Sequence, residues 1–83
     1  MMELDLHTLT RREAEIELYD FLARVHDLGL SRVRIITGKG INSPGRESVL
    51  KPFVENILKA EKLKFKRAKM NEGGEGALEV QMF

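Results

Sequence analysis

The sequence predicts an α/β fold, a two-layer sandwich in which a mixed four-stranded sheet packs against two helices in the order β-α-β-α-β-β. Two segments show the three-and-four spacing of amphipathic helices, and short β-branched or alternating apolar segments lie before, between and after them. A glycine-rich segment separates the last two of the short segments, as in a hairpin. The 83 residues are expected to form one domain over residues 1–83.

The first strand and the first helix are predicted within residues 3–29. Glu3 to Leu9 alternates apolar and polar residues with the period of a half-buried strand. Thr10 to Glu13 has the form of a capping box, so a helix should start there, and Gly29 is placed to end it in a left-handed turn. The apolar positions between them predict one buried stripe, made of Ala14, Leu18, Phe21, Leu22, Val25 and Leu28.

The second strand is predicted at Val33 to Ile36, which is β-branched, too short for a helix and apolar enough to suggest burial on both faces. A strand, a helix and a second strand form a βαβ unit, whose two strands are parallel. The carboxyl ends of parallel strands meet at one edge of a sheet. His7 is therefore expected to lie near Gly38.

A loop, a helix and a hairpin are predicted for the second half of the chain. The segment 37–48, TGKGINSPGRES, contains three Gly, one Pro and two Ser, and is a long loop for so small a domain. Helical spacing resumes at Leu50, and Pro52 belongs in the first turn, which places the start of the regular helix near Lys51 or Pro52.

The hairpin closes the chain. Residues 63–70 predict a strand with a basic outer face, residues 71–76 supply a turn, and residues 78–82 alternate again, with Glu79 and Gln81 as the polar positions. These two strands should be antiparallel neighbours. The last one is a candidate edge strand with Met82 and Phe83 exposed, which would offer a route to pairing with another chain and leaves the oligomeric state open.

Composition excludes several classes of function. The chain has no cysteine, which excludes disulfides, thiolate metal sites and thiol chemistry. No apolar stretch approaches the roughly 18 residues of a membrane helix, so a cytoplasmic protein without a membrane partner is expected. A chain of this size buries only about 60–65% of its unfolded surface, so any chemistry should lie on an exposed cleft or edge.

Charge is unevenly distributed although the net charge is only +1. Residues 1–30 carry seven acids against three bases, residues 31–69 carry eleven bases against three acids, and residues 70–83 carry three acids. Clustered bases attract polyanions through counterion release even on a nearly neutral molecule. The alternative is a basic surface that only keeps the protein soluble.

Asp5 and His7 share one face of the first predicted strand. The carboxylate could orient the imidazole for proton transfer, or both could bind a divalent cation such as Mg²⁺ or Mn²⁺. The alternative is a purely structural role on a solvent-facing strand. The other imidazole, His26, lies in the last turn of the first helix, where it complements the helix terminus and is assigned no catalytic part.

Thr37-Gly38-Lys39-Gly40 follows the second strand, at the sheet edge where ligands of open α/β sheets bind. Glycines let backbone amides approach a phosphate, Lys39 adds a charge, and Ser43, Gly45 and Arg46 could extend the cradle toward the next helix. The segment lacks the G-x-x-x-x-G-K-[ST] and G-x-G-x-x-G patterns, which favours a backbone phosphate over a nucleotide cofactor. The alternative is a tight turn that simply needs glycine.

Four blocks of this sequence resemble the Smr (small MutS-related) domain family. They are Leu4-Asp5-Leu6-His7, Ile36-Thr37-Gly38-Lys39-Gly40 with Ser43 and Gly45, Leu50-Lys51 with Val54, and Gly73-Gly74-x-Gly76-Ala77-Leu78. Together they span nearly the whole chain. The resemblance implies a fold like the C-terminal domain of translation initiation factor three, and nucleic-acid binding with nicking or endonuclease activity on DNA or RNA.

Carried onto this chain, the resemblance implies that Asp5 and His7 are the catalytic or substrate-contacting pair. The residues expected to bind nucleic acid are Thr37, Gly38, Lys39, Gly40, Ser43, Arg46 and Lys51. Two positions depart from the family pattern, because Thr8 replaces a frequent Gly and Asn42 replaces a frequent His. Asn cannot shuttle a proton near neutral pH, so the second departure bears on catalysis.

Three functional hypotheses follow. The first is a nicking endonuclease of low sequence specificity, since five aromatic residues leave few platforms for reading bases. The second is a non-catalytic module with which a larger protein recognises nucleic acid or a ribosomal surface. The third is a protein–protein adaptor whose basic strand only aids solubility.

Overall fold

A computed structural model of the chain describes residues 1–38, 49–68 and 76–83. The elements are β1 (Met2–Asp5), α1 (Arg11–Asp27), β2 (Arg32–Ile36), α2 (Leu50–Ala60), β3 (Lys64–Arg67) and β4 (Ala77–Gln81). This order confirms the predicted β-α-β-α-β-β arrangement. Most of the predicted loop, at 39–48, and the predicted hairpin turn, at 71–75, lie outside the described residues. Neither of the two described helices is both long and apolar enough to cross a membrane.

The four strands form one mixed sheet in the order β1-β2-β4-β3. As predicted, β1 pairs in parallel with β2, and β3 pairs antiparallel with β4; β4 is also antiparallel to β2, a pairing that was not predicted. The prediction that the last strand is an edge strand is wrong, because β4 inserts between β2 and β3 and forms ladders on both sides. Met82, expected to be exposed, is accordingly buried, whereas Phe83 is 63% exposed.

Both helices pack against the same face of the sheet. Alternate strand residues turn toward them and form one core, which includes Val33, Ile35, Leu78 and Val80 from the sheet, Leu18, Phe21 and Val25 from α1, and Val54, Ile57 and Leu58 from α2. The intervening strand residues turn to the other face, which no described helix covers. We call this second surface the open face.

α1 begins as its capping box predicts. The backbone N–H of Glu13 donates to Thr10 Oγ1 at 3.2 Å, and the Thr10 N–H donates to Glu13 Oε1 at 3.0 Å. The helix ends at Asp27, and Gly29 takes the predicted left-handed conformation with φ +72°. Leu28 was expected in the buried stripe but is 61% exposed, because the chain leaves the helical path at this capping residue.

Two of the strands, β1 and β3, are shorter than the alternation predicts. β1 ends at Asp5 rather than Leu9, because the Leu9 N–H donates to the Leu6 carbonyl at 3.0 Å and turns the chain toward α1. β3 covers 64–67 of the predicted 63–70, of which residues 69 and 70 lie outside the described part of the chain.

Two residues of the second half also differ from expectation. α2 starts at Leu50, slightly earlier than predicted, and Pro52 fits its first turn because the missing N–H would have no helical acceptor there. Glu79, expected on an outer face, is only 6% exposed because its strand is central and Arg34 and Lys66 lie on either side of it. Ile35 is buried and Ile36 half-buried, so burial on both faces of β2 is only partly confirmed.

Replacing the cap of α1 should lower stability without altering the sheet. Thr10→Ala removes the hydroxyl that accepts from Glu13, and we expect a loss of about 1 kcal/mol in the free energy of unfolding. Urea titration followed by circular dichroism measures this loss. Thr8→Ala is the matched control, since Thr8 is exposed and precedes the cap. Equal stability of the two variants would contradict the capping role.

Candidate functional site

The parallel pairing of β1 and β2 brings the carboxyl ends of both strands to one edge of the sheet. Asp5 lies opposite Ile36, and the Leu6 N–H continues the ladder by donating to the Ile36 carbonyl at 2.7 Å. Beyond this bond His7 meets Gly38, so closely that a Cβ built on Gly38 would lie 3.1 Å from the Cβ of His7. The prediction that His7 lies near Gly38 is therefore confirmed.

Asp5 and His7 are joined by two hydrogen bonds to one carboxylate oxygen. His7 Nδ1 lies 2.5 Å from Asp5 Oδ1, and the backbone N–H of His7 donates to the same oxygen at 3.0 Å. The side chains are about half exposed, 51% for Asp5 and 52% for His7. The pair is thus formed by two residues close in sequence and is open to a solvent-borne substrate.

The hydrogen bonds determine the charge state of Asp5. The His7 side chain, followed by its backbone N–H, holds the pKa of the Asp5 carboxyl below its ordinary value. The carboxyl is therefore ionised near neutral pH and can only accept hydrogen bonds. His7 must then donate from Nδ1, which leaves the Nε2 of the neutral ring with a free lone pair to accept a proton.

Thr37 and Gly38, directly after β2, are hydrogen-bonded to the Gly76 carbonyl, next to the start of β4. The N–H groups of Thr37 and Gly38 donate to the Gly76 carbonyl at 2.8 and 3.1 Å, and the Thr37 hydroxyl lies 3.4 Å from the same oxygen. Thr37 is buried, and its direct contact with nucleic acid stays a prediction. Through its hydrogen bonds to Gly76, Thr37 helps to hold Gly38, with φ +85°, beside His7.

The remaining predicted binding residues are only partly described. Lys51 lies in the first turn of α2 and is 8% exposed, so its aliphatic stem packs into the domain. Lys39, Gly40, Ser43 and Arg46 lie outside the described residues, as does Asn42. Their contacts with a phosphate stay predictions.

The donor set at the site suits an acid–base pair better than a metal chelate. Within residues 1–38, 49–68 and 76–83, no group of three or more His, Asp or Glu is placed to hold an ion. Asp5 Oδ1 and His7 Nδ1 already bond to each other, so the pair cannot enclose one cation between these atoms. A divalent cation could still bind the second carboxylate oxygen of Asp5 or the Nε2 atom of His7, together with substrate phosphates.

Comparison with known proteins identifies the family. The sequence model of the Smr domain matches residues 4–82. The chain belongs to the Smr domain family. Endonuclease MutS2 of Carboxydothermus hydrogenoformans is 35% identical over 83 residues, which cover 98% of this chain and 10% of that relative. The chain thus spans about a tenth of the length of this relative.

Solved Smr domains share the fold. The crystal structure of the Smr domain of Thermus thermophilus MutS2 superposes with a TM-score of 0.83 at 31% identity, covering 98% of this chain and 96% of the other. The solution structure of the SMR domain of NEDD4-binding protein 2 gives 0.74 at 29% identity, covering 98% and 84%. These likenesses confirm two helices on a four-stranded mixed sheet as the family architecture.

Two contributions to the site were missed by sequence reasoning. The backbone N–H of His7 is a second donor to Asp5, and the signal was available, because an Asp commonly accepts from the N–H two residues later in an Asx turn. No sequence signal indicated that the Gly76 carbonyl accepts hydrogen bonds from Thr37 and Gly38. These hydrogen bonds depend on the strand order, which places β4 beside β2.

Adding a methyl group at Gly38 should disturb the pair, whereas adding one at Gly29 should not. Both glycines have positive φ, so Ala costs about 1–2 kcal/mol of stability at either position. Only at Gly38 does the new Cβ press on His7, since nothing lies within 4 Å at Gly29. We expect Gly38→Ala to shift the His7 ring resonances in NMR spectra and Gly29→Ala to leave them in place. Unmoved His7 resonances in both variants would contradict the positioning role of Gly38.

Proposed function

We propose that this Smr domain binds DNA or RNA and hydrolyses phosphodiester bonds with little sequence specificity. The observation that carries the proposal is the Asp5–His7 pair, hydrogen-bonded, half-exposed and located where two parallel strands end. Open sheets of this kind bind their ligands at that edge. The similarity to a protein named Endonuclease MutS2 supports the same class of reaction.

His7 acts as the general base in this proposal. Its Nε2 accepts the proton of the attacking hydroxyl, from water or from the neighbouring 2′-hydroxyl of RNA, as the oxygen bonds to phosphorus. The bond from phosphorus to the leaving oxygen then breaks, and that oxygen takes a proton from solvent. Asp5 holds the ring in the required tautomer and stabilises the imidazolium that forms, as the carboxylate of a catalytic triad does.

The segment after β2 supplies the phosphate contacts in this proposal. Gly38 has no side chain at the point of approach, so a phosphate can come close to the backbone beside His7. Lys39, Gly40, Ser43, Arg46 and Lys51 are the proposed partners of the neighbouring phosphates. Such contacts make binding salt-dependent and nearly independent of base sequence.

A second candidate function is recognition without cleavage. Asn42 stands where the family often has His, which removes one group able to transfer a proton. The chain also spans only a tenth of its MutS2 relative, so a role as the nucleic-acid or ribosome recognition module of a larger protein is consistent with its size. This candidate predicts binding without turnover.

Cleavage should depend on His7 and not on the other imidazole. We expect His7→Ala to lower the rate about 10²–10⁴-fold, the usual contribution of a general base, while binding is retained. His26→Ala is the matched control, because His26 is an exposed imidazole at the far end of α1. Nicking of supercoiled plasmid and cleavage of a structured RNA, each with Mg²⁺, with Mn²⁺ and with EDTA, measure the effect.

The outcomes separate the candidates. Equal cleavage by His7→Ala and the wild type would overturn the role of His7. Binding without cleavage under every condition would establish the recognition module instead, and failure to bind either polymer would contradict both functions. Cleavage that persists in EDTA would assign the reaction to the side chains, whereas loss in EDTA would show that a divalent cation takes part.

A further inference from the structure

The open face carries basic side chains along β2 and β3. The strand register aligns Glu3, Arg34, Glu79 and Lys66 in one row across the sheet, and Arg32, Gln81 and Lys64 in the adjacent row. All seven turn away from the helices, because they alternate with the core residues of their strands. The face without helices is therefore strongly charged rather than apolar.

The acids of these rows are already paired, which leaves the two lysines in excess. Glu3 accepts from Arg34 at 3.0 Å, and Glu79 accepts from Arg32 at 3.2 Å. Lys64 and Lys66 are exposed, and neither forms an ion pair with any residue in the described part of the chain. The β3 side of the open face thus presents uncompensated positive charge.

These lysines border a shallow groove. Its volume is about 540 Å³, and Arg32, Lys64, Lys66 and Phe83 are among the residues that line it. Phe83 is 63% exposed, and its ring centroid lies 5.3 Å from that of His26 at the end of α1. Cationic side chains beside an exposed aromatic ring form the usual surface for a phosphate backbone with its bases, since every base can stack on a ring.

The groove lies on the same face as the Asp5–His7 pair. Asp5 follows Glu3 by two residues on β1, so both side chains project from the open face. β1 and β3 are the two edges of the sheet, separated by three strand spacings, or about 14 Å, and Lys64 lies a further four residues along the strands from the row of Asp5. A nucleic-acid strand of a few nucleotides spans that distance.

We propose that the open face is a second nucleic-acid-binding surface, on which Lys64, Lys66 and Arg32 bind phosphates of the strand whose scissile bond lies at His7. The inference rests on the proposed function and adds a substrate track that reaches β3, the edge strand opposite β1. Lys64 and Lys66 lie about 7 Å apart along the strand, a spacing that suits neighbouring phosphates. A protein partner is less suited, because the rows lack the apolar centre of a protein interface.

Removing the two β3 charges should weaken binding and reduce its salt dependence. Lys64→Gln/Lys66→Gln keeps most of the side-chain length and should lower the slope of log affinity against log salt by about 0.7–0.9 per lost phosphate contact. Arg24→Gln/Lys59→Gln is the matched control, which removes two positive charges from exposed positions on the helices. Fluorescence anisotropy with a short labelled RNA and a short labelled DNA duplex measures both slopes.

The readouts distinguish this inference from the proposed function. A reduced slope in the β3 variant alone, with thermal unfolding equal in both variants, would support the track. Identical slopes in both variants, with His7-dependent cleavage intact, would overturn the track and leave the proposed function standing. Binding of neither probe by the wild type would overturn both.

Discussion

The parallel pairing of β1 with β2 is the constraint on which the site depends. A parallel pair requires a crossover, and α1 provides it while burying one face of both strands. The bond from the Leu6 N–H to the Ile36 carbonyl, at 2.7 Å, extends this pairing one residue beyond β1. His7 is then held beside Gly38. The Asp5 carboxylate is close enough to accept hydrogen bonds from both the backbone N–H and the Nδ1 of His7.

Local sequence patterns were sufficient to predict the features of the fold that depend on local interactions. The capping box at Thr10, the order of elements and the approach of His7 to Gly38 follow from residue types, spacing and the rule for βαβ units. The strand order could not be predicted in this way, because no local pattern indicates that β4 inserts between β2 and β3. The burial of Glu79 and the anchoring of the segment after β2 on Gly76 both follow from that insertion. They could not be read from alternation alone.

α1 and the open face differ in their balance of charge. The acids of residues 1–30 fall largely on α1, among them Glu13, Glu15, Glu17 and Asp20, whereas Arg32, Lys64 and Lys66 lie on the open face. In our proposal a polyanion is attracted to the open face, which also carries Asp5 at the end of β1. A net charge of +1 conceals this division, which the fold creates from segments of opposite sign.

The central claim is that Asp5 fixes His7 with its proton on Nδ1 and its free lone pair on Nε2. Nitrogen NMR of the ¹⁵N-histidine-labelled domain, at a pH where the ring is neutral, tests it most directly, and His7→Ala assigns the signals. We expect a protonated Nδ1 and an unprotonated Nε2 in the wild type, and a shift toward mixed tautomers in Asp5→Asn, whose side chain is a weaker acceptor. A wild-type ring protonated on Nε2, or the same tautomer in both proteins, would contradict it.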